Sequence, residues 1–302
     1  MASGADVASA TSATSIATSM SIAVSASRRS STTLSVDPYA LVDPGADANT
    51  LAVSLSAAEI AIRDARLSAD LVGRAGRAQQ LAYRRLASHP EWEAAVLARV
   101  DASVRVAVLT NIGARNSLRT IKGGPAKDTL PAFTVLAPAP PDKLLSWYHE
   151  ASDLTGISWE YLAAINLVET RMGRIRATST AGAQGPMQFL PETWSRCCHG
   201  DINDSHDAIV GAATYLQQRG GPTDMNKAIF GYNPSQGYVE AIQAYASVIA
   251  ANKRAFYGYY EWQVFVDTTV AGVRLPVGFS QPTRISAADY LAAHPEDRAP
   301  SG

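Results

Sequence analysis

One acid interrupts an otherwise apolar helix. In the stretch AAINLVETRMG, which begins at Ala163, Glu169 follows Leu162 and Ile165 at helical spacing and stands three residues before Met172. At about 100° per residue these side chains project from one side of the helix. An ordinary helical Glu finds a cation at i±3 or i±4, but those positions hold Ile165, Asn166, Met172 and Gly173. Arg171, Arg174 and Arg176 point elsewhere or lie past the helix end, so the plainer alternative is a tertiary ion pair with one of them. Burial without a close cation raises a carboxyl pKa and keeps part of the group protonated near neutral pH. A general acid needs that state.

The next segment has the composition of a ligand loop. TSTAGAQG, residues 178–185, is small and polar, so its backbone can approach a ligand, and Met187, Gln188 and Phe189 add apolar and hydrogen-bonding groups. A mere connecting loop is the alternative. Further on, Asp201, Asn203, Asp204 and Asp207 invite a calcium reading, but the spacing lacks the glycine and terminal glutamate of an EF-hand. His199 and His206, in the same loop, match no established zinc geometry. A capped loop entering a helix accounts for all six, and neither a metal nor another cofactor is expected.

These residues need a scaffold, and the pattern predicts a mainly α one. Residues 1–50 are rich in Ser, Thr and Ala and poor in large apolar side chains, and read as a disordered tail. Apolar residues at helical spacing predict one long helix over Ser54–Ser88 and, after the His89-Pro90 break, a second to about Thr120. Together they make a helical hairpin over 51–121. Residues 122–141, with paired glycines and several prolines, read as a linker. From 142 to 258 short helices follow closely, with Ser158, Asp207, Asp224 and Ser235 as N-cap candidates and Pro191 as a helix start. The aromatic run Phe256, Tyr257, Tyr259, Tyr260 and Trp262 reads as core rather than as a sugar platform. Residues 259–302 predict a β-hairpin followed by a polar tail.

Composition narrows the partners. A formal net charge of −1 over 302 residues gives no basic excess for nucleic acid or anionic membrane. No run reaches the ~18–20 apolar residues of a membrane span. The segment Ile16–Ala26 is mildly apolar and ends in Val24-Ser25-Ala26, but no Lys or Arg precedes Arg28, so it is a poor export signal. Neighbouring Cys197 and Cys198 have α-carbons about 3.8 Å apart, closer than an ordinary bridge of about 4.4–6.8 Å. They define no disulfide framework and leave the redox compartment open.

The order of Val168-Glu169-Thr170, then GAQGPMQFLPETW, then Tyr232-Asn233 resembles the catalytic domain of lytic transglycosylases, bacterial enzymes with a lysozyme-like fold that cleave peptidoglycan strands. The resemblance covers about Leu144 to Phe256. It implies a lysozyme-like helical domain with Glu169 as sole acid and base, Gln188 closing a Gly-x-Met-Gln block with Met187 beside the cleft, and Ser179 as a substrate-contacting serine. Tyr232 and Asn233 match the family's Tyr-Asn pair near the reacting sugar. Thr170 stands where a serine commonly follows the glutamate, and Pro186 where leucine is usual. The hairpin and the terminal β-hairpin lie outside the resemblance, and oligomeric state is not legible.

The resemblance also implies peptidoglycan as partner, an extracytoplasmic place in the cell envelope, and a reaction with one carboxylate. Glycosidases generally use two, about 5–9.5 Å apart. Glu160 lies nine residues upstream on the same helix, near the opposite face and about 13 Å along the axis, so it cannot be the second. With Glu169 alone, the acid protonates the oxygen between N-acetylmuramic acid and N-acetylglucosamine, then takes the C6 hydroxyl proton as a 1,6-anhydro ring closes. A hydrolytic muramidase using Asp201 or Asp204, and a non-catalytic wall-binding protein, are the competing expectations.

Overall fold

The computed structural model describes residues 41–121 and 125–300, so most of the expected tail and three positions of the expected linker lie outside the described residues. Helix α1 (Ala48–Arg63) starts earlier than the sequence predicts because Asp47 caps it. The Asp47 carboxylate accepts from the backbone N–H of Asn49 and Thr50, and Thr50 Oγ1 accepts in return from Asp47 N. The single helix expected over Ser54–Ser88 is two. Asp64 leaves helical geometry and its carboxylate takes both the Arg66 backbone N–H and the Arg66 guanidinium, making a turn. Ser68 then caps α2 (Ala69–Ser88), which folds back against α1.

The second expected helix is divided too. A 3-10 turn at Pro90–Trp92 leads into α3 (Glu93–Arg99), and α4 (Arg105–Thr120) follows after Asp101 accepts a turn hydrogen bond from Ser103 N. The break turns Val100 and Val104 into the core. Periodicity cannot show such breaks when both halves keep an apolar face.

Helices α5 (Pro141–Thr155), α6 (Trp159–Thr170), α7 (Pro191–Cys197), α8 (Ser205–Gln218), α9 (Met225–Tyr232), α10 (Gln236–Ala251) and α11 (Ala255–Tyr260) complete the helical part. Asp224 and Ser235 precede α9 and α10 as expected, whereas α8 is capped by Asp204 and not by Asp207. The α10 helix packs along both α4 and α6, so one apolar core runs from Leu51 and Leu55 through Leu162 and Ile165 to Phe256, Tyr259 and Trp262. The hairpin is thus continuous with the helices that follow it, not a separate body. Buried polar groups join them: Asn111 of α4 donates to Glu59 of α1 and to the Tyr83 hydroxyl of α2, and accepts from the Tyr259 hydroxyl of α11.

A second, smaller core corrects the reading of the linker and the tail. Strand β1 (Thr129–Leu130) pairs antiparallel with β6 (Ile285–Ser286), and β2 (Thr134–Val135) with β3 (Ile175–Arg176). Leu130 and Val135 are buried beside Val273, Leu275 and Leu291. The expected hairpin is β4 (Val264–Asp267) with β5 (Gly272–Leu275), and β7 (Arg298–Ala299) adds a third strand. The polar end of the chain supplies α12 (Ala287–Ala293) and a buried Arg274–Asp297 ion pair that also receives the Tyr290 hydroxyl. Polar composition concealed this because the polar groups that do enter this core, Arg274, Asp297 and Tyr290, satisfy one another.

Cys197 and Cys198 are bonded to each other, with an S–S distance of 1.98 Å and α-carbons 3.7 Å apart. Adjacent cysteines close a ring on their own peptide, a geometry the ordinary spacing range does not cover. The bridge encloses no loop. Among the described residues no helix is long and apolar enough to cross a membrane.

Candidate active site

Glu169 occupies the last full turn of α6, a helix buried on nearly every side. The helix stops one residue later. Arg171, Met172 and Gly173 all take left-handed backbone angles (φ 55°, 61° and 84°), so Met172 does not continue the apolar stripe as expected. Instead its sulfur lies 3.6 Å from the Tyr148 hydroxyl oxygen. The sharp turn leaves Glu169 at a helix end, half-buried, where one edge of the carboxylate can meet a ligand.

The neighbours of Glu169 on α6 anchor the following loop. The Thr170 hydroxyl donates to the Pro186 carbonyl at 2.5 Å and accepts from Gly173 N at 3.0 Å, and Asn166 Nδ2 donates to the same carbonyl at 2.9 Å. The Tyr148 hydroxyl holds Asn166 Oδ1 at 2.6 Å. These bonds explain both departures from the family pattern. Threonine keeps the hydroxyl that is used, and position 186 contributes a backbone carbonyl that any residue supplies. Gly185 is required: its φ is 74°, and a Cβ there would lie 1.9 Å from the Ile202 carbonyl oxygen.

The expected site residues divide into two groups. Tyr232, at the end of α9, donates to the Met187 carbonyl at 2.6 Å, and its ring stacks on Tyr238 with centroids 6.5 Å apart. Met187 was expected to touch substrate, but its side chain is fully buried, so it shapes the floor from below. Gln188 adopts φ 52° and its Nε2 donates to the carbonyls of Gly185 (3.0 Å) and Ala177 (3.3 Å), which ties two parts of the loop together. Ser179 accepts from Ala183 N at 3.0 Å and folds the loop tip. Both remain half-exposed, as does Asn233, the residue after α9.

The nearest partner of Glu169 was not anticipated. Tyr238, in the first turn of α10, donates to Glu169 Oε1 at 2.5 Å. No cation pairs with Glu169 among the described residues, so the tertiary ion pair considered from sequence does not form. Burial pushes the Glu169 carboxyl up to about 7, with the Tyr238 hydrogen bond opposing the rise. The same burial and the nearby carboxylate hold the Tyr232 and Tyr238 hydroxyls well above their ordinary range, so both stay protonated donors. The only sequence signal for Tyr238 was a tyrosine on the apolar stripe of α10, where a buried phenol needs a polar partner.

Removing that donor has a signed consequence. The Tyr238 hydroxyl favours ionised Glu169, so Tyr238→Phe should raise the Glu169 pKa further and move the alkaline limb of the pH–activity profile upward. A limb that stays in place or moves down would show that Glu169 does not set it.

The acidic loop is occupied by its own backbone. Asp204 Oδ1 accepts from His206 N and Asp207 N, Asp201 Oδ1 from Asn203 N, and Asp207 Oδ2 from Asp201 N. His206 lies between Glu150 and Asp207, at 3.1 and 3.3 Å. Asp204, His206 and Asp207 do bring possible ligand atoms within 4.8 Å of one another, with these local roles already assigned to them.

Residues 146–254 match the transglycosylase SLT domain, a span that includes Glu169, the loop, Tyr232-Asn233 and Tyr238. The chain is also 34% identical over 101 residues to membrane-bound lytic murein transglycosylase F of Thiobacillus denitrificans, a stretch covering 31% of this chain and 21% of that protein. It therefore spans about a fifth of the length of this curated relative. No solved structure matches the chain.

Proposed function

We propose that this chain, which carries an SLT domain of the lytic transglycosylase family, cleaves peptidoglycan without water, using Glu169 first as acid and then as base. The observation that carries the reading is the state of Glu169: half-buried, held by the Tyr238 phenol, facing no cation among the described residues, with its carboxyl pushed up to about 7 by burial. In that state the carboxyl is substantially protonated at neutral pH and donates to the glycosidic oxygen between N-acetylmuramic acid and N-acetylglucosamine. The substrate's own acetamido group supports the cation that develops at C1. The carboxylate left behind then removes the C6 hydroxyl proton as that oxygen closes onto C1.

Atoms balance without water. One glycosidic bond breaks, one intramolecular C–O bond forms, and Glu169 returns to its acid form. Tyr238 keeps Oε1 engaged and so orients the carboxyl. Gln188, Ser179, Tyr232 and Asn233 contribute the groove beside it, with Tyr232 bracing the floor through the Met187 carbonyl. A hydrolytic muramidase would need a second carboxylate free to position water. The two acids considered for that role, Asp201 and Asp204, accept backbone hydrogen bonds in the loop before α8. The substrate places this activity in the cell envelope.

The product tests the reaction directly. Digestion of peptidoglycan in heavy-oxygen water should yield 1,6-anhydro-N-acetylmuramic acid ends that carry no solvent oxygen and are one water lighter than hydrolysed ends. Mass spectrometry distinguishes the two. Labelled reducing ends as the main product would replace this proposal with a hydrolase.

A further inference from the structure

The Cys197–Cys198 bridge lies between two cavities that the catalytic scheme does not use. One, of about 250 Å³, is lined by both cysteines with His206, Asp207, Val210 and Thr214 among its walls. The other, of about 300 Å³, is lined by Cys197, Thr193, Arg196, Tyr215, Gln218 and Arg219. Both have Cys197 in their lining. Asp207, Val210, Gly211, Thr214, Tyr215 and Gln218 recur at three- and four-residue steps, so they form one face of α8 about 16 Å long. Gly211 lets α7 come close to that face, since a Cβ there would lie 2.5 Å from Trp194 Cζ3.

We propose that this trough between α7 and α8 is an accessory groove for a sugar chain, holding a stretch of polysaccharide away from the one being cut. The inference rests on the peptidoglycan reading above. A sugar ring offers an apolar C–H face and a rim of hydroxyls. The trough offers the sulfur ring, Val210 and the edge of Tyr215 as an apolar floor, and Asp207, Thr214, Gln218 and Arg196 at its sides. Thr214 donates to the Val210 carbonyl, Gln218 to the Cys197 carbonyl, Arg196 pairs with Glu192 and Asp207 receives Asp201 N, so a sugar hydroxyl would use their remaining lone pairs and N–H groups. Acidic and basic groups both line it, which fits a neutral polymer better than a polyanion. The ring of Tyr215 also packs against Phe189 and Tyr232, so an aromatic layer stands between the trough and the Tyr238–Glu169 pair.

Thr214→Arg tests the proposal, because residue 214 is half-buried at the middle of the face and a long side chain there fills the trough without entering the core. In a Glu169→Gln background, pelleting with purified peptidoglycan sacculi should show affinity about tenfold lower for the Thr214→Arg protein. With Glu169 intact, Thr214→Arg should cleave a soluble tetrasaccharide fragment of peptidoglycan at the parent rate. Gln218→Trp at the other end of the trough should act in the same way, and thermal melting identifies any variant that has merely lost its fold.

Unchanged pelleting of both folded variants overturns the groove. Equal loss of tetrasaccharide cleavage also overturns it, because the trough would then belong to the catalytic cleft. If the parent cleaves while the variants pellet normally, only the accessory groove fails. If the parent neither cleaves nor pellets, the peptidoglycan reading fails and the groove with it.

Discussion

Glu169→Gln should leave a folded protein with almost no lytic activity. The amide keeps the shape of the side chain and can still receive the Tyr238 hydroxyl, but it cannot give up a proton to the glycosidic oxygen or take one from the C6 hydroxyl. General acid–base catalysis alone is worth ~10²–10⁴-fold, and here both halves of the reaction pass through one group, so the loss should lie at or above the top of that range. A zymogram on peptidoglycan with parent and variant side by side gives the measurement, and a thermal melt confirms the fold. Gln also lacks the carboxyl's cost of ionising in a buried place. The folded-state pKa is raised from 4.5 to about 7, so Glu169 costs stability above the unfolded-state pKa. That cost grows as pH rises towards 7. The variant should therefore be at least as stable as the parent at neutral pH, and their difference should shrink towards pH 4. Near-normal lysis by the variant would favour a binding protein or a different acid.

The second large effect concerns how the N-terminal helices join α11, which follows directly on the residues that match the SLT domain. Asn111→Ala removes the acceptor of the Tyr259 hydroxyl and one donor to Glu59, in a place with no exposure to solvent. Leaving buried polar groups without partners costs about 1–3 kcal/mol each, so a loss of about 3 kcal/mol is expected in chemical denaturation. Because α10 packs on α4 and carries Tyr238, lytic activity should fall in step with the folded fraction rather than by a change in pH profile. A loss below about 1 kcal/mol would mean that the network is replaced by water and the two parts are held by apolar packing alone.

Some features were legible because they depend on near neighbours in the chain. The helix of Glu169, its start at Ser158, the cap at Asp224, the start of α10 after Ser235, and the β4–β5 hairpin all rest on local periodicity, helix starts or capping, which the sequence encodes within a few residues. The absence of a cation at i±3 and i±4 from Glu169 is likewise a local fact. The breaks at Asp64 and Val100 were missed, since a helix that is interrupted and then resumes keeps nearly the same stripe.

The sequence by itself determined a mainly α chain with one isolated acid on an apolar helix, followed by a loop of small residues. Tertiary structure decided what that acid meets. Tyr238 is 69 residues away from Glu169, the Pro186 carbonyl is shared by Asn166 and Thr170 across a sharp left-handed turn, and Met187 points into the core while its carbonyl receives Tyr232. It also turned an apparent linker into two strands of a small core and joined Cys197 to Cys198. The reason is physical: periodicity reports which side of an element is apolar, whereas a raised pKa depends on desolvation and on which distant donor closes the pocket, and those are properties of packing.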